Sequence, residues 1–401
     1  MTGLTVSLGV LSVLVLLPAM VFTVECLASA LPARRRRGHG PEGRGPMPRA
    51  VVVVPAHDEE AGIADTVRHL RARMEPDGRL LVVADNCRDG TAARARTAGA
   101  EVVERHAPRH RGKGHALTFA FEYLAPDAPD VVVVVDADCR VSLGAIRALV
   151  RSAARTGRPV QAEYLMQSPD GDACSAVSSL AFLVRNRVRP RGLARLGLPC
   201  HLTGSGMALP WSALRAAPPT EDHLVEDLLL GVELAKAGHP PLLCTRAMVS
   251  SVLPRGARPA LAQRRRWEHG QLRVALTRGP QLLWHGIVQL RPALVALGLD
   301  LLVPPLALLV VLQLSVLVLG LGGVGLGASP VPAILAGAAI GTVALGVAVS
   351  IVAYGRGVIR PRVLLAVPAY ILRKVPSYIA FALRRGQRTW QRAERSPEAE
   401  R

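Results

Sequence analysis

From Pro292 to Tyr354 the chain carries a single charged side chain, Asp300, over a length that can cross a hydrocarbon core twice. Residues 4–24 (LTVSLGVLSVLVLLPAMVFTV) carry none. In lipid every backbone N–H and C=O must be satisfied inside the protein, so such blocks have to be helices, and they confine any soluble fold to the residues between them. The predicted spans are 4–24, 300–322 and 331–354, the last two joined by a glycine-rich turn over 323–330. For 4–24 a cleaved export signal is the alternative, because Ala28-Ser29-Ala30 has small residues at cleavage spacing. The absence of a basic residue before the block and the cluster Arg34 to Arg37 after it favour an anchor whose downstream chain lies in the cytoplasm. Arg356, Arg360 and Arg362 mark a second return to that side. The stretch 363–383 is apolar but holds Pro368, Pro376 and the pair Arg373-Lys374. A mid-membrane charge costs roughly 2.5–3.5 kcal/mol, so an interfacial or re-entrant helix stands beside a further span as a reading.

Composition adds a charge to account for. In 401 residues, 49 Lys and Arg oppose 30 Asp and Glu, a net charge of +19. Nucleic acid and membrane surface are the two partners such a balance attracts. Aromatic residues make up 3% of the chain, too few and too scattered to stack on bases, so nucleic acid is set aside and membrane lipids are the expected partner. The cysteines (Cys26, Cys87, Cys139, Cys174, Cys200, Cys244) form no CxxC pair and no cluster with histidine, which excludes a disulfide framework and a zinc site. Free thiols suit a reducing compartment.

Between the blocks, strands and helices alternate. RAVVVVP (49–55) is a β-branched run closed by proline, followed by a helix predicted over 59–74. A strand at 80–84 ends in the turn-rich loop 85–90, then come a helix over 91–98, a short strand at 101–105, the loop 111–114 and a helix to Leu124. Five consecutive valines, 131–135, form the next strand. Uninterrupted apolar strands alternating with helices mean an α/β fold with a mainly parallel, Rossmann-like sheet, in which ligands bind at the carboxyl ends of the strands.

Those ends carry Pro55, Ala56, His57, Asp58 and Glu59, then Asp85, then Asp136 and Asp138. No GxGxxG follows the first strand, so the usual dinucleotide site is not indicated. Carboxylates at the mouth would repel a phosphate unless a divalent cation, Mg2+ or Mn2+, lay between them. A lone Asp-x-Asp after a strand is also an ordinary helix or turn cap; the shared sheet edge with Asp85 and Glu59 favours the functional reading.

VVVVPAHDEE (51–60), ADNCRDGT (84–91), RGKG (111–114), DAD (136–138), LTGSGMALP (202–210), VEDLLLGVELAKAG (225–238) and QRRRW (263–267) occur in this order. Together they resemble the membrane-bound family 2 glycosyltransferases of GT-A fold, the group of the cellulose, hyaluronan and poly-N-acetylglucosamine synthases. The resemblance covers about residues 49–275. It implies that Pro55, Ala56, Glu59 and Asp85 hold the nucleoside of a nucleotide-sugar donor and that Lys113 sits near its base or phosphates. It further implies that Asp136 and Asp138 face the diphosphate, Asp138 through the metal, and that Asp227 is the catalytic base. Gly204, Ser205, Gly206, Glu226, Gln263, Arg266 and Trp267 would border the diphosphate and the acceptor.

Two acids compete for the role of base, Asp222 in Thr220-Glu221-Asp222 and Asp227 in Glu226-Asp227. The second opens an amphipathic helix ended by Gly238 before Pro240, and a helix holds a base more rigidly than a proline-flanked loop, so Asp227 is preferred. Arg264, Arg265, Arg266 and Arg273 also read as a solvated or lipid-facing basic stripe, which leaves Trp267, a good surface for a sugar ring, unexplained. The resulting layout is an anchor over 1–28, a basic linker over 29–48, a cytoplasmic GT-A domain over 49–257, interfacial helices over 258–291, two membrane helices over 292–355, and an interfacial or third membrane helix with a basic tail over 356–401. The expected function is inverting transfer from a nucleotide sugar, a UDP-sugar first, to a growing glycan acceptor at the cell membrane. Single-sugar transfer to a lipid acceptor is one alternative. A non-catalytic nucleotide-sugar-binding subunit, serving a synthase or export partner, is another.

Overall fold

A computed structural model describes residues 2–32, 46–167, 173–216, 225–252, 257–355 and 361–383. Arg34 to Arg37, Asp222, Arg356, Arg360 and most of the basic tail lie outside them. The described chain forms two compact units. One takes its residues from Ala33–Pro169 and Leu198–Gln271, the other from Met1–Pro32, Asp170–Gly197 and Leu272–Gly386.

The first unit is built on strands β1 (Ala50–Ala56), β2 (Arg79–Asp85), β3 (Glu101–Arg105), β4 (Val131–Val134), β5 (Arg140–Val141), β6 (Val160–Gln167), β7 (Met207–Pro210) and β8 (Leu242–Val252). They form one sheet in the order β3-β2-β1-β4-β7-β6-β8-β5. The pairs β1–β2, β1–β4, β2–β3 and β6–β8 are parallel. The pairs β4–β7, β6–β7 and β5–β8 are antiparallel, so only β7 and β5 run against the rest. This is the mostly parallel α/β sheet expected, with two reversed strands that short segments rich in turn residues concealed. Side chains alternate across a pleated strand, so Val51 and Val53 join Leu81, Val83, Val132 and Val134 on one face, packed with Leu117 and Ala120 of helix Lys113–Leu124 and Leu234 of helix Glu226–Lys236. Val52 and Val54, equally buried, point to the other face. Each valine buried in this way contributes roughly 1.5–3 kcal/mol. The sequence order reverses on either side of β1, so the carboxyl ends of β1, β2 and β4 meet at a topological switch point, where sheets of this kind bind ligands. The helix predicted over 59–74 is shorter, Glu60–Arg71, because the chain turns into β2 at Gly78.

The second unit contains four helices long and apolar enough to cross a membrane: Thr2–Ser29, Leu306–Gly325, Val331–Tyr354 and Val363–Ala382. The span predicted over 300–322 is corrected by Pro304 and Pro305, which lack N–H groups and force the preceding residues out of helix. The chain instead forms helix Pro292–Leu302, a break, and helix Leu306–Gly325. The prolines at 363–383 interrupt less than expected. Helix Val367–Ala382 continues through Pro376, and the buried Lys374 places its ammonium 5.6 Å from the Tyr370 ring centroid. Small residues and hydroxyls hold these helices together. Ser12 and Thr23 donate to the Pro332 and Thr342 carbonyls at 2.8 Å each, and Tyr354 donates to the Ser29 carbonyl at 2.6 Å. Helix Arg189–Leu196 packs directly on the first helix, where a Cβ at Gly192 would lie 1.9 Å from the Glu25 carbonyl oxygen. Arg189, buried, bonds Glu25 Oε2 at 2.6 Å and Asp300 Oδ1 at 2.5 Å.

Candidate functional site

The site is assembled from loops that the strands end in. At the β1 end, Pro55 and the buried Ala56 lead to His57, whose Nδ1 lies 2.6 Å from the Asp85 carbonyl, and to Asp58, held at φ 51°. The Glu59 N–H donates to Thr91 Oγ1 at 2.8 Å, tying the β1 loop to the helix after β2. Asp85 closes β2 with 5% of its surface exposed. Its Oδ1 accepts from Arg105 at 2.6 Å and from Asn86 at 3.0 Å, so one oxygen is engaged within the protein and the carboxylate is fixed in place.

A second cluster lies at the β4 end. The Lys113 ammonium, opening helix Lys113–Leu124, is salt-bridged to Asp136 and donates to the Gly204 carbonyl at 2.6 Å. Gly204 has φ 94°, and a Cβ on it would lie 3.0 Å from Asp227 Oδ2 and 3.6 Å from Lys113 Nζ. Lys113, Asp136, Gly204 and Asp227 therefore share one pocket of charge. Burial alone would lower the Lys113 pKa, but Asp136, Glu226 and Asp227 outweigh it and raise it, keeping the ammonium charged. Burial pushes the Asp136 carboxyl up, against the pull of Lys113. Glu226 is pushed up to about 7, first by burial and then by the neighbouring Asp227 charge. The loop carrying Gly204 is anchored by the fully buried Ser205, whose Oγ accepts the Asp136 N–H at 3.0 Å, and by Gly206, whose N–H donates to the Val134 carbonyl at 2.8 Å.

The helix Ala257–Val288 brings Arg266 to Glu226. A Cβ at Gly270 would meet Val225 Cγ1 at 2.7 Å, so this helix lies against the residue that precedes Glu226. Arg266 is half-buried and feels the Glu226 charge; burial lowers its pKa and Glu226 opposes that. Trp267 is half-buried on the next position, while the Gln263 side chain lies outside the described residues. Asp222 is outside them too, and Asp227 stands in the first turn of helix Glu226–Lys236.

Asp136, Asp138 and Cys139 present ligand atoms within 4.8 Å of one another. The two carboxylates suit a hard cation such as Mg2+ or Mn2+. Cys139 suits it less: a thiol is a soft donor, and the buried Sγ lies 3.8 Å from Tyr164 Oη. Asp138 Oδ2 accepts from Ser251 at 3.3 Å, which orients it. A second grouping, Asp58, Cys87 and Asp89, is committed to turns: Asp58 accepts from the Arg88 N–H, and Asp89 from the Thr91 and Glu60 N–H groups.

Arg105, Gln161, Ser251 and Gly270 escaped the sequence reading. Arg105 is set opposite Asp85 by the register of β2 and β3, which end together, and no local pattern encodes that register. The others arrive from strands and helices whose register is tertiary.

The family described as "Glycosyltransferase like family 2" matches residues 48–270, more than half of the chain. The low-salt glycan biosynthesis hexosyltransferase Agl6 of Haloferax volcanii is 37% identical over 95 residues, 23% of this chain and 21% of that protein's length. The mannosyltransferase PcManGT from Pyrobaculum calidifontis, solved with GDP-Man and Mn2+, superposes with a TM-score of 0.54 at 16% identity, over 94% of this chain and 99% of its own, a likeness of fold. Glucosyl-3-phosphoglycerate synthase from Mycobacterium tuberculosis, solved with Mn2+, UDP-Glc and phosphoglyceric acid, is 25% identical over 49% of this chain and 69% of its own, with a TM-score of 0.35. The sheet is thus of the GT-A type expected, and from the extent of the family match the chain belongs to glycosyltransferase family 2.

Proposed function

We propose that this chain is an inverting glycosyltransferase that moves a sugar from a nucleotide-sugar donor, a UDP-sugar first, to a glycan acceptor at the membrane. One observation carries the reading: Lys113, Asp136 and Asp227 meet at the Gly204 backbone, with Glu226 and Arg266 beside them. Asp85 and the β1 loop hold the nucleoside, and Lys113 and Arg266 offset the diphosphate charge. Asp227 takes the proton of the acceptor hydroxyl as its oxygen bonds the anomeric carbon. The bond from that carbon to the diphosphate oxygen breaks, its electron pair leaving with the nucleoside diphosphate. With one base and no carboxylate nucleophile, configuration inverts, by analogy with the two geometries of glycosidases. Mg2+ or Mn2+ held by Asp138 beside Asp136 would supply further positive charge to the leaving group. Trp267 offers a face on which an acceptor sugar stacks.

The test is nucleoside diphosphate release by protein purified in detergent, with UDP-GlcNAc, UDP-Glc, UDP-Gal and GDP-Man compared with and without Mn2+ or Mg2+. Asp227→Asn lowers turnover roughly 10²–10⁴-fold. Equal, negligible rates in wild type and Asp227→Asn, with nucleotide still bound, would leave the non-catalytic binding subunit as the reading. Product length separates chain growth from a second reading, single-sugar transfer to a lipid, which the small number of candidate spans, four among the described residues, supports.

A further inference from the structure

Gln161 lies on β6 with 2% of its surface exposed, paired in register with Met207 of β7. Its side-chain amide is committed to backbone. Nε2 donates to the Ser205 carbonyl at 2.8 Å and the Ala162 carbonyl at 2.9 Å, and Oε1 accepts the Thr203 N–H at 2.9 Å. One uncharged group thus clamps both sides of Gly204, the residue whose carbonyl receives Lys113 and whose Cα borders the Asp227 carboxylate. The same loop supplies Ser205 Oγ to the Asp136 N–H. Gly204 and Gly206 take φ 94° and 71°, which glycine adopts without strain but holds weakly, so the fixed shape of the loop rests on the groups that bond it.

We infer that Gln161 is a positioning residue for the transfer reaction: its amide holds the 203–206 loop so that the Gly204 carbonyl seats the Lys113 ammonium between Asp136 and Asp227. The inference rests on the transferase reading. Gln161 touches neither donor nor acceptor, and it acts by geometry alone. Releasing the loop removes the carbonyl that fixes Lys113 and the backbone that Asp227 packs on, while the nucleoside end at Asp85, held by Arg105 and Asn86, keeps its own contacts.

The experiment uses the full chain in detergent and two substitutions. Gln161→Leu keeps approximate volume and deletes all three hydrogen bonds. Gln161→Glu keeps the shape and the acceptor but turns an oxygen toward the Ser205 and Ala162 carbonyls. Turnover with the best donor, titration of UDP or GDP with Mn2+, and thermal melting are measured on each. We expect kcat to fall roughly 10–100-fold, the loss that a displacement of about 1 Å brings, with nucleotide affinity within about threefold of wild type and binding at full stoichiometry. If either folded variant keeps wild-type kcat, the inference is overturned. It is equally overturned if kcat falls only in proportion to the fraction of protein that still binds nucleotide, since that is loss of fold. Where Gln161→Leu does not fold, Gln161→Glu decides. Absence of turnover by wild type with every donor is a different result, and it rejects the transferase reading itself.

Discussion

Gly206 occupies a left-handed turn at φ 71°, and a Cβ there would come within 2.6 Å of Val249 Cγ2 and 2.7 Å of Ala162 Cβ. Gly206→Ala combines backbone strain with overpacking, so it destabilises the fold by about 1–3 kcal/mol, read as a lower unfolding midpoint; an unchanged midpoint would contradict the packing described. Glu226 gives a pH effect whose sign follows from the direction of its shift. Its pKa rises from 4.5 to about 7, so between those values the folded chain keeps a proton that the unfolded chain has released. Stability therefore falls as pH rises through that window. Glu226→Gln, which cannot ionise, flattens the slope of melting temperature against pH between about 4.5 and 7. A variant whose slope matches wild type would show that Glu226 ionises freely. Asp136 and Asp138 were legible because five valines before them define a strand end; Arg105 and Gln161 were not, because nothing local distinguishes an arginine that pairs from one that is solvated.

Single elements show where patterns were read well and where they misled. Val331–Tyr354 runs as predicted, since a long uncharged apolar block with a proline at its start has one stable solution in lipid. The first helix continues past the predicted end at residue 24 to Ser29, taking Glu25 into the packed interior. Glu25 is tolerated there because Arg189 reaches it from 164 residues along the chain. Removing the guanidinium leaves two carboxylates without their cation. Arg189→Ala is expected to cost about 3–5 kcal/mol, seen as a lower melting temperature of the detergent-solubilised protein. A melting temperature equal to wild type would mean that the Glu25–Arg189–Asp300 contacts contribute nothing.

For the whole molecule, the balance between +19 net charge and 50% hydrophobic content divides by position. The apolar share lies in four candidate spans and in buried strands, and Arg34 to Arg37 and Arg356, Arg360 and Arg362 follow two of the spans in the sequence. If these helices cross a bilayer and the sheet unit faces the cytoplasm, the protein stays in the pellet after an alkaline carbonate wash, and added protease cuts the sheet unit only in inside-out vesicles. Cleavage in right-side-out vesicles would reverse the proposed orientation, and release by carbonate would reject the spans. The sequence by itself determined the first four strands, the helices between them and the long apolar blocks, and that acids collect at the carboxyl ends of parallel strands, because these depend on period and composition over short stretches. The tertiary structure alone decided which group answers each buried charge or amide. Arg105 meets Asp85 across 20 residues, Gln161 meets Ser205 across 44, and Arg189 meets Glu25 across 164. Such pairings are set by strand register, by the two reversed strands and by close helix approach, which no local pattern encodes.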